Sequence, residues 1–347
     1  MEEQRKIIQL LQQIPQPGFL VQDNRILQVN QAASALLLTP GQSFTDLLHT
    51  GAEEYAAYGS GELCLTLTIG GQLRNAVVSR VEDADLVLLD RQEEQEEFRS
   101  MALVAMELRQ PLMQAMSGAH LLARETDHPA IADLNRSLMQ ILRMVGNMSD
   151  AGRYADFSRQ EMRDVNSFLQ ELFEKAQTLA GNSLKISFDG LPQPLFSRID
   201  PEQLERAVWN ILSNCIKFTP AGGSVHATLT HHGNMLRLTV QDSGSGIAEA
   251  VRGTLFHRYL RQPCIEDSRY GLGLGLAMVR IAAANHGGTV LVHGNDAGTR
   301  ITMTLAIRPE PATRLRSPLM VPDYAGGWDH ALVELADSLG SENYKTL

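Results

Sequence analysis

Two asparagines four residues apart, Asn210 and Asn214, have a spacing that suggests chemistry. Residues four apart share one face of a helix, and amide oxygens suit a hard Mg²⁺ that also holds phosphate oxygens and water. Lys217 lies near the same face and could meet a phosphate as a point charge. Standing alone, the pair would be better explained as the solvated face of a helix. A metal-binding role therefore depends on the neighbouring motifs.

A second motif follows a predicted strand at residues 235–241. Asp242 ends this strand, and Gly244 and Gly246 come directly after it. A buried carboxylate at such a place can accept a hydrogen bond from the exocyclic amine of adenine, and the glycines let the backbone approach the base. By itself the motif would be only a turn.

Two further motifs supply cations and glycines downstream. Arg258 and Arg261 lie in an aromatic segment and could direct positive charge toward a phosphate, although basic loop residues are common. Gly271, Gly273 and Gly275 precede a predicted helix, whose N–H groups and dipole favour anionic oxygens. The glycine spacing is neither that of a Rossmann motif nor that of a P-loop.

Singly these motifs are weak, but their order and their places at helix and strand ends are together specific. They resemble the N, G1, F and G2 boxes of the ATP-binding domain of sensor histidine kinases, a branch of the Bergerat-fold ATPases. The resemblance implies an ATP–Mg²⁺ site in which Asn210 and Asn214 serve the metal and Asp242 serves the adenine. The glycines of its lid and phosphate cradle would be Gly244, Gly246, Gly271, Gly273 and Gly275. Secondary phosphate contacts would be Lys217, Arg258 and Arg261.

An upstream segment resembles the phosphoacceptor helix of the same family but lacks its nucleophile. Where the family has histidine followed by glutamate, this sequence has Met106 followed by Glu107. A thioether has no proton to lose and forms no stable phosphoryl adduct, so methionine cannot replace the attacking imidazole. His120 is about 21 Å further along a helix and no acid follows it. We therefore predict that it lies on the surface of the helical bundle.

The resemblance leaves three functions open. The chain could be an ATP-binding regulator that cannot phosphorylate itself and acts on a response-regulator receiver domain, as its phosphatase or as a regulatory partner. In that case Glu107 and Gln110 would position a water, with glutamine in place of the family's threonine or asparagine. Alternatively, it could be a dimeric scaffold whose shape ATP locks. The third alternative is an active kinase with a non-standard acceptor.

The bulk composition narrows the classes of partner. The chain has 347 residues and a net charge of −10, which argues against nucleic acid because phosphate binding needs a basic face. Cys64, Cys215 and Cys264 fit neither a zinc site nor a secreted disulfide framework. No apolar stretch approaches the ~20 residues that span a bilayer. These features predict a cytoplasmic protein without a membrane span.

The pattern of predicted elements is that of an α+β multidomain protein. Residues 1–90 combine a strand hairpin that turns at Asp23 and Asn24, short helices and three strands. Asn30 could cap a helix that runs through Leu38, and Gly70 and Gly71 link the first two of the three strands. This order of elements resembles a small PAS domain. Asp23 and Asn30 match the family's characteristic stretch, while Arg25 replaces its usual glycine. A ligand-binding sensor and a unit that only mediates dimerisation remain equally open for this domain.

The rest of the chain divides into three parts. Residues 91–157 predict a two-helix hairpin, whose apolar seam would pair with a second copy as a homodimeric four-helix bundle. The seam residues are Leu134, Leu138, Ile141, Val145 and Met148. Residues 158–308 predict an α/β sandwich of the Bergerat ATPase type, with one helix at 165–180 and another that starts at Asp200-Pro201 and runs to about Lys217. Residues 309–347 predict a linker with a short helix at 328–339.

Overall fold

The fold is described here from a computed structural model, which covers residues 2–90, 92–153, 159–247, 274–295, 297–309 and 323–345. The amino-terminal unit contains three helices and five strands in the predicted order. The helices are α1 (Glu2–Gln13), α2 (Gln31–Ser34) and α3 (Ala52–Ala56), and the strands are β1 (Gly18–Gln22), β2 (Arg25–Val29), β3 (Glu62–Ile69), β4 (Gln72–Val81) and β5 (Ala84–Leu89).

The remaining described elements form a helical hairpin, a mixed α/β unit and a C-terminal segment. The hairpin is α4 (Gln92–Glu125) and α5 (Ala130–Arg153). The mixed unit is β6 (Glu161–Asp164), α6 (Val165–Ala180), β7 (Lys185–Asp189), β8 (Phe196–Ile199), α7 (Pro201–Phe218), β9 (Ser224–His232), β10 (Met235–Asp242), α8 (Gly275–Asn285), β11 (Val290–Asn295) and β12 (Gly298–Ala306). The C-terminal segment, residues 323–345, contains α9 (His330–Glu334). The small β6–β8 sheet was not predicted.

Two-residue turns fix the hairpins of the amino-terminal unit. Asp23 and Asn24 have φ angles of 48° and 62° between β1 and β2, and Gly70 and Gly71 have 58° and 77° between β3 and β4. Positive φ at both central residues gives the backbone twist that joins neighbouring antiparallel strands, and Asn, Asp and Gly tolerate it best. The predicted hairpins are confirmed.

Asn30 begins a helix as predicted, but that helix is shorter than expected. Its Oδ1 accepts from the N–H groups of Ala33 at 2.9 Å and Gly18 at 3.1 Å, so the side chain also fixes the start of β1. The prediction that the helix runs to Leu38 is wrong. It ends at Ser34, and Leu37 has a φ of 64°, which a right-handed helix cannot contain.

One continuous sheet connects the amino-terminal unit to the mixed α/β unit. Its strand order is β2-β1-β5-β4-β3-β11-β12-β10-β9-β7. The join is the antiparallel pairing of β3 with β11, in which Cys64, Leu63 and Glu62 lie opposite Val290, Leu291 and Val292. The sequence analysis placed these strands in separate domains and did not predict their pairing.

A buried ion pair reinforces this join. Arg280 on α8 is buried, and its two terminal nitrogens donate to the two carboxylate oxygens of Asp90 at 2.8 and 2.7 Å. Such a bidentate pair fixes both distance and orientation. Because Asp90 directly follows β5, the pair ties the end of the amino-terminal unit to α8.

The helical hairpin exposes apolar side chains on both of its helices. α4 continues through Pro111, whose missing N–H leaves the Glu107 carbonyl without its helical donor. Of the predicted seam, Val145 is buried, and Leu138 and Met148 pack against the core. Exposed apolar residues are Leu103, Val104, Met106, Leu108, Leu121 and Leu122 on α4, and Leu134 and Ile141 on α5. None of the helices within the described ranges is long and apolar enough to cross a membrane.

The C-terminal segment packs on the hairpin and on α7. Its helix is shorter than the predicted 328–339, because it stops at Glu334, and a 3-10 turn follows at Ser341–Tyr344. His120 does not lie on the open bundle surface as predicted. It is half-buried, and its ring meets that of Trp328 edge-on, with 5.9 Å between centroids. The segment therefore covers part of α4 as well.

Candidate functional site

Helix α7 positions the two asparagines. Asp200 begins the helix, and its Oδ1 accepts from the Gln203 N–H at 3.1 Å, while Pro201 occupies the first helical position. The apolar side of the helix is buried through residues such as Leu204, Val208 and Leu212. This burial fixes the rotation of α7, so Asn210 and Asn214 lie next to each other beside that buried side.

The two asparagines have different surroundings. Asn210 is only 1% exposed, and its Oδ1 accepts from Nη2 of Arg143 at 3.1 Å, while its Nδ2 donates to the Arg206 carbonyl at 2.8 Å. A Cβ on Gly275 would lie 2.9 Å from the Asn210 oxygen. Asn214 is half-buried, and no part of the chain that the structure describes forms a hydrogen bond with its side chain. Only Asn214 therefore presents an unused amide.

Asp242 lies at the end of β10, where the backbone holds its carboxylate in place. Its Oδ1 accepts from the N–H groups of Gly244 at 2.8 Å and Thr299 at 3.0 Å. A Cβ on Gly244 would lie 2.6 Å from the Phe218 carbonyl oxygen, and one on Gly246 would collide with the carbonyl of Asn295. Gly244 thus allows the turn after β10 to pack against the end of α7, and Gly246 allows it to pack against the end of β11.

The Cys215 thiol contacts the same carboxylate. Burial is the largest cause that raises the pKa of this thiol, and the negative charge of Asp242 and a hydrogen bond to it raise it further. The thiol is therefore a neutral donor to Asp242, and no reactive thiolate forms there at neutral pH.

The structure brings some predicted residues together and not others. Asn210, Asn214, Asp242, Gly244 and Gly275 converge around α7. Lys217 lies in the last turn of that helix, with its Nζ 5.9 Å from the centre of the Phe218 ring. Outside the described residues lie Arg258, Arg261, Gly271 and Gly273.

The residues of the acceptor-type motif lie on a different helix. Met106 is 61% exposed on α4, and Glu107 and Gln110 are exposed beside it. Between them, Arg109 turns toward the C-terminal segment and donates to the Tyr324 carbonyl. An accessible side chain at position 106 is followed by an accessible carboxylate, but the thioether cannot form a stable bond to a phosphoryl group.

Two buried arginines beside the site were missed by the sequence analysis. Arg143 on α5 and Arg206 on α7 are both buried, and each lies on an amphipathic helix between apolar core positions. Both form ion pairs with Glu334, which is fully buried. The sequence does contain a signal for them, which is an arginine at a core-facing position of an amphipathic helix. Such a position indicates a buried ion pair, because a buried cation requires buried partners.

Comparisons with known proteins show which family the chain resembles. Residues 199–309 match the family model described as "Histidine kinase-, DNA gyrase B-, and HSP90-like ATPase". The histidine-protein kinase/phosphatase MprB of Mycolicibacterium vanbaalenii is 30% identical over 263 residues, which are 73% of this chain and 53% of that protein. The sensor-like histidine kinase SenX3 of Mycolicibacterium smegmatis is 31% identical over 188 residues, which are 52% of this chain and 45% of that protein.

A solved structure shows the same fold over a region larger than the matched ATPase domain. Full-length ShkA in complex with AMPPNP superposes with a TM-score of 0.50 at 24% identity, over 61% of this chain and 46% of that one. The chain spans about half the length of each of these relatives. The matched ATPase domain and these relatives show that the chain belongs to the histidine kinase family.

Proposed function

We propose that this chain acts in two-component signalling as a protein that binds ATP with Mg²⁺ but does not phosphorylate itself. The observation that carries the proposal is Met106, an accessible thioether at the position where the family has its acceptor imidazole. The motifs that would bind the nucleotide, in contrast, retain the asparagine, aspartate and glycine residues that the family has there. Bound ATP would supply the phosphate oxygens that hold the metal.

The residues present fit such a ligand. Within the described ranges no cluster of three or more His, Cys, Asp or Glu side chains could hold a metal ion. In this proposal Mg²⁺ binds together with the phosphate oxygens of ATP. Asn214 offers an unused amide oxygen for it, and Asn210 would join as a second ligand. Asp242 uses Oδ1 for backbone donors, which leaves Oδ2 to accept from the adenine amino group.

Glycines and cations would complete the site. Gly244, Gly246 and Gly275 lie where a Cβ would meet Phe218, Asn295 and Asn210, so their backbone stays close to α7 and β11. The N-terminus of α8 would present N–H groups to phosphate. Further lid and cradle positions would be Gly271 and Gly273. Lys217, Arg258 and Arg261 would be secondary phosphate contacts.

Replacing Asn214 with alanine tests the nucleotide site. We expect the variant to bind Mg²⁺–ATP at least about tenfold more weakly, because one ligand of the metal is lost. Isothermal titration in Mg²⁺ and in EDTA would measure this, and the loss should appear only with the metal. Asn234→Ala, in the exposed turn between β9 and β10, is the matched control. No binding of millimolar Mg²⁺–ATP by the native chain would refute the proposal.

A second candidate function is dephosphorylation of a response-regulator receiver domain. Glu107 and Gln110 are exposed one turn apart on α4, and the relative MprB is named a kinase/phosphatase. Their carboxylate and amide would orient a water that attacks the acyl phosphate of the regulator.

Gln110→Ala tests this candidate. We expect the variant to slow the loss of phosphate from a phosphorylated receiver domain at least about tenfold, since it removes the group that orients the water. Gln114→Ala, four residues further on the same exposed helix, should leave the rate unchanged. Equal rates of dephosphorylation by the native chain, Gln110→Ala and Gln114→Ala would favour the scaffold function, in which bound ATP only locks the shape of the dimer.

The exposed apolar residues of the hairpin support a homodimer through residues 91–157. The described side chains of α4 and α5 include eight large apolar ones that are exposed, which a soluble monomer rarely leaves in contact with water. A second copy of the hairpin has the matching surface, since twofold symmetry pairs the same residues.

A further inference from the structure

The C-terminal segment brings two carboxylates to the buried arginines beside the nucleotide site. Glu334 is 0% exposed. Its Oε2 lies 3.4 Å from Nε of Arg143, and its Oε1 lies 3.1 Å from Nε of Arg206. Asp337 accepts from Nη1 of Arg143 at 2.8 Å. These contacts explain how two cations can be buried between α5, α7 and the segment.

Arg143 connects this acidic segment to the predicted metal ligand. Its Nη1 donates to Asp337 and also to Ser213 Oγ at 3.1 Å, while its Nη2 donates to Asn210 Oδ1. The planar guanidinium of Arg143 is therefore bound both by the C-terminal segment and by α7. Because the fork is rigid, fixing Nη1 on the carboxylate also fixes Nη2 on the asparagine.

Further contacts hold the segment in this position. Arg136 and Gln140 on α5 donate to the Ala336 carbonyl, and Asn135 donates to that of Tyr344. The Ser338 hydroxyl donates to the Ser213 carbonyl, so the Ser213 hydroxyl donates to Ser338 Oγ at 2.6 Å. The segment is thus attached along both α5 and α7.

A guanidinium and a metal ion cannot both bind the same Asn210 oxygen at low cost. Asn210 is almost fully buried, and Mg²⁺ on its Oδ1 would lie beside the positive charge of Arg143 with little water to screen the repulsion. Movement of Arg143 would in turn take the ion-pair partner from Asp337 and leave Glu334 with Arg206 alone, which weakens the docking of the segment.

We propose that Arg143 is a positioning residue that the C-terminal segment holds on Asn210, where it competes with the metal of the nucleotide. The inference rests on the proposed ATP–Mg²⁺ site and adds its regulation. The docked segment and full metal coordination exclude each other. By linkage, docking therefore weakens Mg²⁺–ATP binding by the same factor by which Mg²⁺–ATP weakens docking.

A reversible crosslink between α7 and the segment tests this competition. Ser213 and Ser338 face each other closely enough for Ser213→Cys/Ser338→Cys to form a disulfide. The native Cys64 and Cys215 are buried with raised thiol pKa values, and Cys264→Ser removes the thiol outside the described residues. We expect the oxidised form to bind Mg²⁺–ATP at least about tenfold more weakly than the same protein after reduction.

The outcomes separate the two proposals. Equal or tighter binding by the oxidised form would refute the competition and leave the nucleotide site standing. No binding in either form would remove the proposed function, and the competition with it. The single-cysteine variants should respond to neither oxidant nor reductant. Adding Arg143→Lys, which keeps the charge but not the fork, should shrink the difference between the two forms, and an undiminished difference would exclude Arg143 as the cause.

A measurement on the native sequence provides the reciprocal test. Mg²⁺–ATP should increase amide hydrogen exchange in residues 330–344, while ATP in EDTA should not, because only the metal competes for Asn210. Unchanged exchange at saturating Mg²⁺–ATP would contradict the proposal even if the disulfide variant failed to fold.

Discussion

Replacing Met106 with histidine is expected to create autophosphorylation in a chain that we propose cannot phosphorylate itself. Position 106 is exposed on α4, and the exposed Glu107 follows it. A new imidazole nitrogen could attack the γ-phosphorus, breaking the bond to the bridging oxygen so that ADP leaves, while Glu107 takes the ring proton. Labelled ATP should therefore give an acid-labile, base-stable phosphoryl group at least about tenfold above the background of the native chain.

Two controls distinguish the acceptor from the donor site. Met106→Gln places a polar side chain of similar length there and should stay unlabelled. Met106→His combined with Asn214→Ala should lose most of the label, because the metal site is damaged. Label on the native chain would show that an acceptor exists elsewhere. An unlabelled Met106→His protein that still binds Mg²⁺–ATP would show that the nucleotide domain cannot reach α4.

Loss of the Arg206 side chain is expected to cost about 3–5 kcal/mol of the free energy of unfolding, because it leaves buried carboxylates without their partner. The guanidinium forms ion pairs with Glu334 and Asp150, donates to Asn147 at 2.8 Å, and lies 4.9 Å from the Tyr324 ring centre. Urea unfolding of Arg206→Ala, followed by tryptophan fluorescence, would measure the loss.

The control and the double variant identify the cause. Arg237→Ala removes an exposed arginine from β10 and should change the free energy of unfolding by no more than about 0.5 kcal/mol. Arg206→Met with Glu334→Leu should be less destabilising than the sum of the single changes, since neither charge is then left alone. Full additivity would show that the two side chains do not interact.

Local signals predicted most of the elements. Asp200 and Pro201 mark the start of α7, and the predicted helix at 165–180 has the bounds that the structure shows. These features act over one or two turns, so the sequence contains them directly. The helix after Asn30 failed because no local rule required Leu37 to adopt a left-handed conformation.

Long-range contacts were beyond such signals. Motif order was sufficient to group Asn210, Asp242 and Gly275, since Asp242 ends β10, Gly275 begins α8 and Asn210 lies within α7 one turn before Asn214. It gave no indication that Arg143 would occupy the Asn210 oxygen, because the two residues meet only when α5 docks on α7. The pairing of β3 with β11 likewise depends on how two units meet, and an edge strand looks the same in sequence whether or not it is paired.

That pairing also limits how far the protein can open. If the units separated, β3 and β11 would each present unsatisfied N–H and C=O groups, and β3 carries the apolar Leu63, Leu65 and Leu67. Exposed edges of this kind recruit strands from other molecules and promote aggregation. The backbone pairing covers three residue pairs, and the Arg280–Asp90 ion pair lies beside it, so separation of the units would lose both. Crowded, concentrated conditions would therefore penalise long-lived open forms and favour brief ones.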